Sequence, residues 1–193
     1  MNTDISQILI SDSELEKYGQ TGSVSQKAKA LLNQQKQTWD LAKKNYRNLD
    51  KVQIREFNFD NFVIKVQFNP GRIKSSAAKV DKKSISERPC FLCYPNLPDE
   101  QKAILFKNTY LILVNPYPIF TEHFTIPQLV HSPQLVASHI PNMLDLSAAM
   151  TDSIVFYNGP KCGASAPDHF HFQAGNKTFL PIYSEYDSIV KTK

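Results

Sequence analysis

Three cysteines, one tryptophan and six glycines are few for a chain of 193 residues. An odd number of cysteines, with no signal-like segment ahead of them, argues against a disulfide framework and for a reducing, cytoplasmic compartment. Long apolar runs are missing too. The longest, residues 110–114, is far short of the ~20 residues that a membrane-spanning helix needs, so no membrane partner is expected. Ile8-Leu9-Ile10 is the one apolar cluster near the start, and no basic segment precedes it, so no secretory signal is predicted. Blocks of like charge are also absent: 22 basic against 18 acidic residues leave a net charge of +4. That balance suits a phosphate-bearing ligand, and the lack of a basic stripe with interleaved aromatics predicts no nucleic-acid partner. What remains, 41% hydrophobic and 21% charged residues, is the composition of a globular chain with a core.

Residues 1–22 are polar and read as a flexible leader. From residue 23 the chain reads as a single domain. Ser23 or Ser25 can cap an amphipathic helix over 23–47, in which Ala28, Leu31, Leu32, Trp39, Ala42 and Tyr46 fall near helical spacing. Alternation over 52–59 and 62–68, with Asp60-Asn61 between, predicts a hairpin. Residues 73–87 read as a long surface loop, a place where function concentrates. Further strands are expected over 103–107, 110–115, 123–126, 153–158 and 169–174. Ser132-Pro133 reads as a capped helix start, and a second helix is expected over 141–152. Hairpins and meandering strands with helices grouped elsewhere predict an α+β fold, an antiparallel sheet with helices packed on it.

The segment from Asn158 to Gln173 carries the chemistry. In a strand, alternate side chains share a face, so His169, His171 and Gln173 project into a cleft while Phe170 and Phe172 turn to the core. The loop before it holds Gly159, Lys161, Gly163 and Ser165. Glycine admits conformations in which successive N–H groups converge on an anion. Cys162 lies in that loop without a partner at metal spacing and reads as incidental. Upstream, Cys90 and Cys93 form a C-x-x-C pair. It is half of a tetrahedral zinc site, a redox pair or two structural cysteines. His123, His131 and His169 are its candidate partners, whereas His139 falls in a predicted helix and reads as a surface or packing residue.

Together these motifs resemble the histidine-triad superfamily, in the branch of the galactose-1-phosphate uridylyltransferases, diadenosine tetraphosphate phosphorylases and GDP-hexose phosphorylases. The signature is H-x-H-x-Q after a glycine-serine loop, here His169, His171 and Gln173 after Asn158, Gly159, Gly163 and Ser165. Cys90-Phe91-Leu92-Cys93 matches the branch's zinc knuckle, Pro70-Gly71-Arg72 its strand-end turn, and Asn108 its strand-end asparagine. The resemblance spans about residues 50–180 and implies a HIT-like fold.

It further implies that His171 is the nucleophile, forming a nucleotidyl-histidine intermediate, and that Gln173 holds phosphoryl oxygens. Arg72, Lys74, Lys161 and the loop would bind the phosphates. Structural zinc would sit on Cys90, Cys93 and His169, with His131 preferred as the fourth ligand and His123 the runner-up. The substrates would be a nucleotide or nucleotide sugar and a phosphate or sugar-phosphate acceptor, and a homodimer is compatible with the pattern. The alternatives are a non-catalytic, zinc-containing nucleotide-binding module and a zinc-knuckle interaction domain. The chain departs from the pattern in one extra residue, Asp168. It also has length for one of the uridylyltransferases' two half-modules, so either a C-terminal portion is absent or the second half is not needed.

Overall fold

The structure, a computed structural model, describes residues 4–60, 62–72 and 80–190. Lys74 falls outside the described residues. Among the described residues seven strands make two antiparallel sheets. The hairpin β1 (Gln53–Asn58) and β2 (Val63–Phe68) stands apart as a two-stranded sheet. The main sheet has the order β3-β4-β5-β7-β6, from Ala103–Phe106, Tyr110–Val114, His123–Pro127, His171–Asn176 and Ser153–Phe156 respectively. The fold is thus α+β with an antiparallel sheet, as the pattern predicts.

Alternation sorts the main sheet into two faces. Ile112, Val114, Phe124, Ile126, Phe172 and Ala174 join one core cluster with Leu31, Leu32 and Tyr46 of the N-terminal helices and with Leu146. Phe170, just ahead of β7, is in the same cluster, and both it and Phe172 are fully buried. The opposite face is different in kind. Leu113, Thr125 and Gln173 stand in one row across β4, β5 and β7, and His171 stands opposite Pro127. This second face becomes the floor of the site.

Several expectations are corrected. The leader is not loose where it is described. Ile8 and Ile10 exchange backbone hydrogen bonds with Ala103 at the sheet edge, and Leu15, in the short helix α1 (Asp12–Leu15), is fully buried. Three apolar side chains in a polar segment suffice to dock it, because the edge strand offers unpaired backbone groups. The helix over 23–47 is two helices, α2 (Val24–Thr38) and α3 (Asp40–Arg47), broken at Trp39, whose backbone is extended. Ser23 caps α2 by accepting from the Gln26 N–H, while Ser25 is buried and accepts from the Asp152 N–H. The break leaves Trp39, 3% exposed, both in the core cluster with Leu31, Ala42 and Tyr46 and in the wall of the site.

The expected loop over 73–87 contains a short helix, α4 (Lys82–Glu87), capped by Asp81. No helix starts at Ser132-Pro133. The Ser132 carbonyl instead accepts from the Phe170 N–H, and its hydroxyl donates to the Gln128 side chain. The next helix, α5, runs Ile140–Ala149, and α6 runs Pro181–Val190. Among the described residues no helix is long and apolar enough to cross a membrane.

Candidate active site and metal centre

β7 begins at His171, not at His169. The two residues before it do not pair with β5 as a regular strand: Gln128 donates to the Phe170 carbonyl while Phe170 donates to Ser132. His169 is therefore freed from the row of His171 and Gln173, and its ring turns toward the C-x-x-C knuckle. Its Nδ1 lies 3.3 Å from Cys90 Sγ and 3.5 Å from Cys93 Sγ. His131 Nδ1 lies 3.2 Å from Cys93 Sγ. The four ligand atoms all fall within 4.8 Å of one another. A tetrahedral zinc ion with ordinary bond lengths sets sulfur and nitrogen about 3.6 Å apart, close to these spacings. The cluster could hold a metal ion.

The surroundings suit that use. His169 Nε2 donates to the Gln128 carbonyl at 2.7 Å, which leaves Nδ1 unprotonated toward the sulfurs. Burial next to Cys90 pushes the Cys93 thiol up to about 11, a cost that a bound cation removes. Asp168, the extra residue of the sequence pattern, bonds Arg88 at 2.9 Å and lies 4.0 Å from His131 Nε2. His123, the runner-up ligand, is elsewhere: it is buried on the second face of the sheet, bonded to Gln173.

Beside the cluster lies a cavity of about 560 Å³. Leu92 and Ala166 belong both to its wall and to the packing around Cys90. His171 and Gln173 line it from the sheet, and Arg72, Asn158, Gly163 and Ser165 from the loops. His171 Nδ1 donates to the His169 carbonyl at 2.9 Å. A carbonyl can only accept, so this contact puts the ring proton on Nδ1 and leaves the Nε2 lone pair free. Nε2 has no partner among the described residues, and burial lowers the ring's pKa, which favours the neutral form.

Three groups of donors in the cavity wall lack partners among the described residues. Gly163 has φ +81, a conformation that other residues rarely adopt. The backbone N–H groups of Gly163, Ala164, Ser165 and Ala166 donate to nothing among the described residues. The Arg72 Nε is buried without a partner among the described residues, and burial lowers that guanidinium's pKa. The Gln173 amide nitrogen likewise has no partner among the described residues. Arg72 is brought there by the hairpin's docking: Gln67 and Asn69 donate to the carbonyls of Ile119 and Pro118. Of the three groups the Arg72 Nε is the buried one, and a buried unpartnered donor implies an acceptor that completes it.

Two expected binding residues are not brought to the cavity. Asn108 sits with Lys107 in the β3–β4 turn, both at positive φ, so it serves the hairpin. The strand-end asparagine of the cavity is Asn115, which donates to Thr125 Oγ1 and accepts from the Tyr117 N–H. Lys161 is exposed and outside the cavity wall. His139 is a packing residue, stacked on Phe170 at 3.6 Å with Nδ1 2.7 Å from the Tyr110 hydroxyl.

Sequence reasoning missed Gln134. Its buried amide accepts from the His171 N–H and donates to the His171 carbonyl, as a neighbouring strand would. A lone glutamine between predicted helices carries no signal of this. Nor did the pattern reveal that His123 bonds Gln173.

Residues 31–176 match the family described as Domain of unknown function (DUF4922). No curated protein matches the chain in sequence. Among solved structures, a histidine triad protein from Clostridium difficile is similar over 48% of this chain and 90% of its own, with 18% identity and a TM-score of 0.36. Yeast Ap4A phosphorylase Apa2 in complex with AMP is similar over 75% of this chain and 48% of its own, with 19% identity and a TM-score of 0.45. The same enzyme in complex with Ap4A is similar over 70% and 50%, at 18% identity and a TM-score of 0.44. The chain thus spans about half the length of the yeast phosphorylase chains.

Proposed function

The chain belongs to the family described as Domain of unknown function (DUF4922), and we propose that it is a nucleotidyltransferase or nucleotide phosphorylase that works through His171. The observation that carries this reading is one cavity whose wall holds both an imidazole with a free Nε2 and donors from Arg72, Gln173 and the 163–166 backbone that lack partners among the described residues. That set fits a phosphate ester under nucleophilic attack.

In the proposed reaction His171 Nε2 attacks the α-phosphorus of a nucleotide sugar or dinucleotide. A P–N bond forms, and the P–O bond to the leaving phosphate breaks, its electron pair staying on that oxygen. The Nδ1 proton stays on the ring, and the His169 carbonyl stabilises the charge that develops there. Arg72 and the loop N–H groups hold the phosphoryl oxygens, with the Gln173 amide beside them. A phosphate-bearing acceptor then displaces His171 and regenerates the free ring. Gln173 cannot titrate, so it gives no proton to a poor leaving group, and a phosphate leaving group needs none. This favours transfer or phosphorolysis over hydrolysis.

Cys90, Cys93, His131 and His169 would hold zinc, which supplies no step of the reaction and only fastens the knuckle to the chain segment ahead of β7. The experiment is turnover of a panel of nucleotide sugars and dinucleoside polyphosphates with and without inorganic phosphate. Release of nucleoside diphosphate that depends on added phosphate, or exchange with a sugar phosphate, is expected. Nucleoside monophosphate released at the same rate without any acceptor contradicts the reading.

A further inference from the structure

His123 of β5 and Gln173 of β7 are diagonal neighbours on the second face of the sheet, since Thr125 stands opposite Gln173 and His123 opposite Gly175. His123 is 1% exposed and belongs neither to the metal cluster nor to the cavity wall. Its two ring nitrogens have different partners. The Ile119 N–H donates to Nδ1 at 3.3 Å. A nitrogen that accepts carries no proton, so the neutral ring is protonated at Nε2. Nε2 lies 2.9 Å from Gln173 Oε1 and donates to it. The ring stays neutral because burial, with the Arg72 charge adding to it, lowers its pKa to about 4.

We propose that His123 is the positioning residue that decides which end of the Gln173 amide faces the cavity, turning the NH₂ group inward as a donor for phosphoryl oxygens. The proposal rests on the reading of the cavity as a phosphate site. The two ends of a glutamine amide have nearly the same shape, and only their hydrogen-bond partners tell them apart. With a proton on Nε2, a flipped Gln173 would set NH₂ against N–H, two donors face to face. It would also present Oε1 to an anion. Both penalties act against the same flip, so the donor is set before a ligand arrives.

The packing holds the His123 ring in place for this. Phe120 lies edge-on to it at 5.0 Å, and the Tyr46 hydroxyl donates to the His123 carbonyl at 3.0 Å. Gly175 leaves room for the Phe120 ring, since a Cβ there would meet it at 2.5 Å.

A double-mutant cycle tests the assignment. The probe is an equal mixture of the four nucleoside 5′-phosphorimidazolides, whose activated leaving group removes the need to know the natural donor. The rate of nucleotidyl-adduct formation is read by intact mass. His123→Phe keeps a ring and removes the donor, and the rate should fall roughly tenfold or more. In a Gln173→Ala background the same substitution should change the rate by less than about twofold, because His123 acts only through Gln173. Equal losses in both backgrounds overturn the proposal, since general damage to the fold would not depend on Gln173. His123→Gln, which restores a donor at similar reach, should recover most of the rate.

Should His123→Phe fail to fold, ¹⁵N-histidine NMR of the wild-type protein at pH 7 decides. A proton on Nε2 is expected, and a proton on Nδ1 or a charged ring overturns the proposal. A wild-type protein that forms no adduct with any of the four donors refutes the role of His171 instead, and the NMR reading still decides on His123.

Discussion

The pH dependence of stability should carry the signature of one buried ring. The His123 pKa is lowered from 6.5 to about 4, chiefly by burial. As pH falls from 7, the unfolded chain takes up this proton first and the native state resists it. The contribution of His123 is whole above pH 6.5, declines between 6.5 and about 4, and is flat below that. The whole decline corresponds to about 3 kcal/mol, of which about 2–3 kcal/mol is lost by pH 4.5.

The comparison protein is His123→Gln, which titrates at no group in this position and keeps a donor for Gln173. Urea unfolding at pH 7.0, 5.5 and 4.5 gives the free energies of both proteins. Carboxylates and metal ligands titrate alike in the two, so the difference of their slopes belongs to His123. The wild type should lose about 2 kcal/mol more than the variant between pH 7.0 and 4.5. Parallel pH dependence in the two proteins refutes a neutral, buried His123, and with it the orientation argued for Gln173.

Protein purified without chelator should contain about one zinc per chain by elemental analysis, and Cys93→Ser should lose the metal and melt at lower temperature. Retention of zinc by Cys93→Ser contradicts the cluster. Arg72→Ala should weaken binding of nucleoside diphosphates by roughly ten- to a hundredfold in calorimetry, because a buried charged donor at the cavity is lost. Lys82→Ala and Lys83→Ala, on the exposed face of α4, should leave that affinity within about twofold. Gly175→Ala should cost about 1–3 kcal/mol of stability in urea unfolding, since the new Cβ would sit 2.5 Å from the Phe120 ring, itself packed against His123, Phe156 and Phe179. An unchanged midpoint in that variant means the ring moves freely.

The legible parts of this protein are those set by short-range periodicity. Alternation from Phe170 to Gln173 placed Phe172 in the core and His171 and Gln173 on the other face. The spacing of Cys90 and Cys93 marked the knuckle, and the hairpin around residue 60 followed from its pattern. What stayed hidden depends on contacts across the chain. The pattern sets His169 beside His171 in a strand, but the backbone of Phe170 between them pairs with Gln128 and Ser132, which no local signal announces. The N-terminal segment docks because Ala103 lies on a free sheet edge, a fact of topology. A helix that reads as continuous is broken at Trp39, which packs both in the core and at the cavity. Gln134 and His123 are polar side chains whose work is to hold another residue's backbone or amide. Nothing in the type or spacing of such residues marks them before the fold brings them together.

The most direct test of the account is the site of covalent attachment. The protein would be incubated with the four nucleoside 5′-phosphorimidazolides, quenched in base, digested and sequenced by mass spectrometry. A nucleotidyl group on His171, stable in base and lost in acid, is expected, with His171→Ala forming no adduct while keeping its zinc. An adduct that maps to Ser165 or to another histidine, or one that persists in His171→Ala, contradicts the assignment of His171 as the nucleophile.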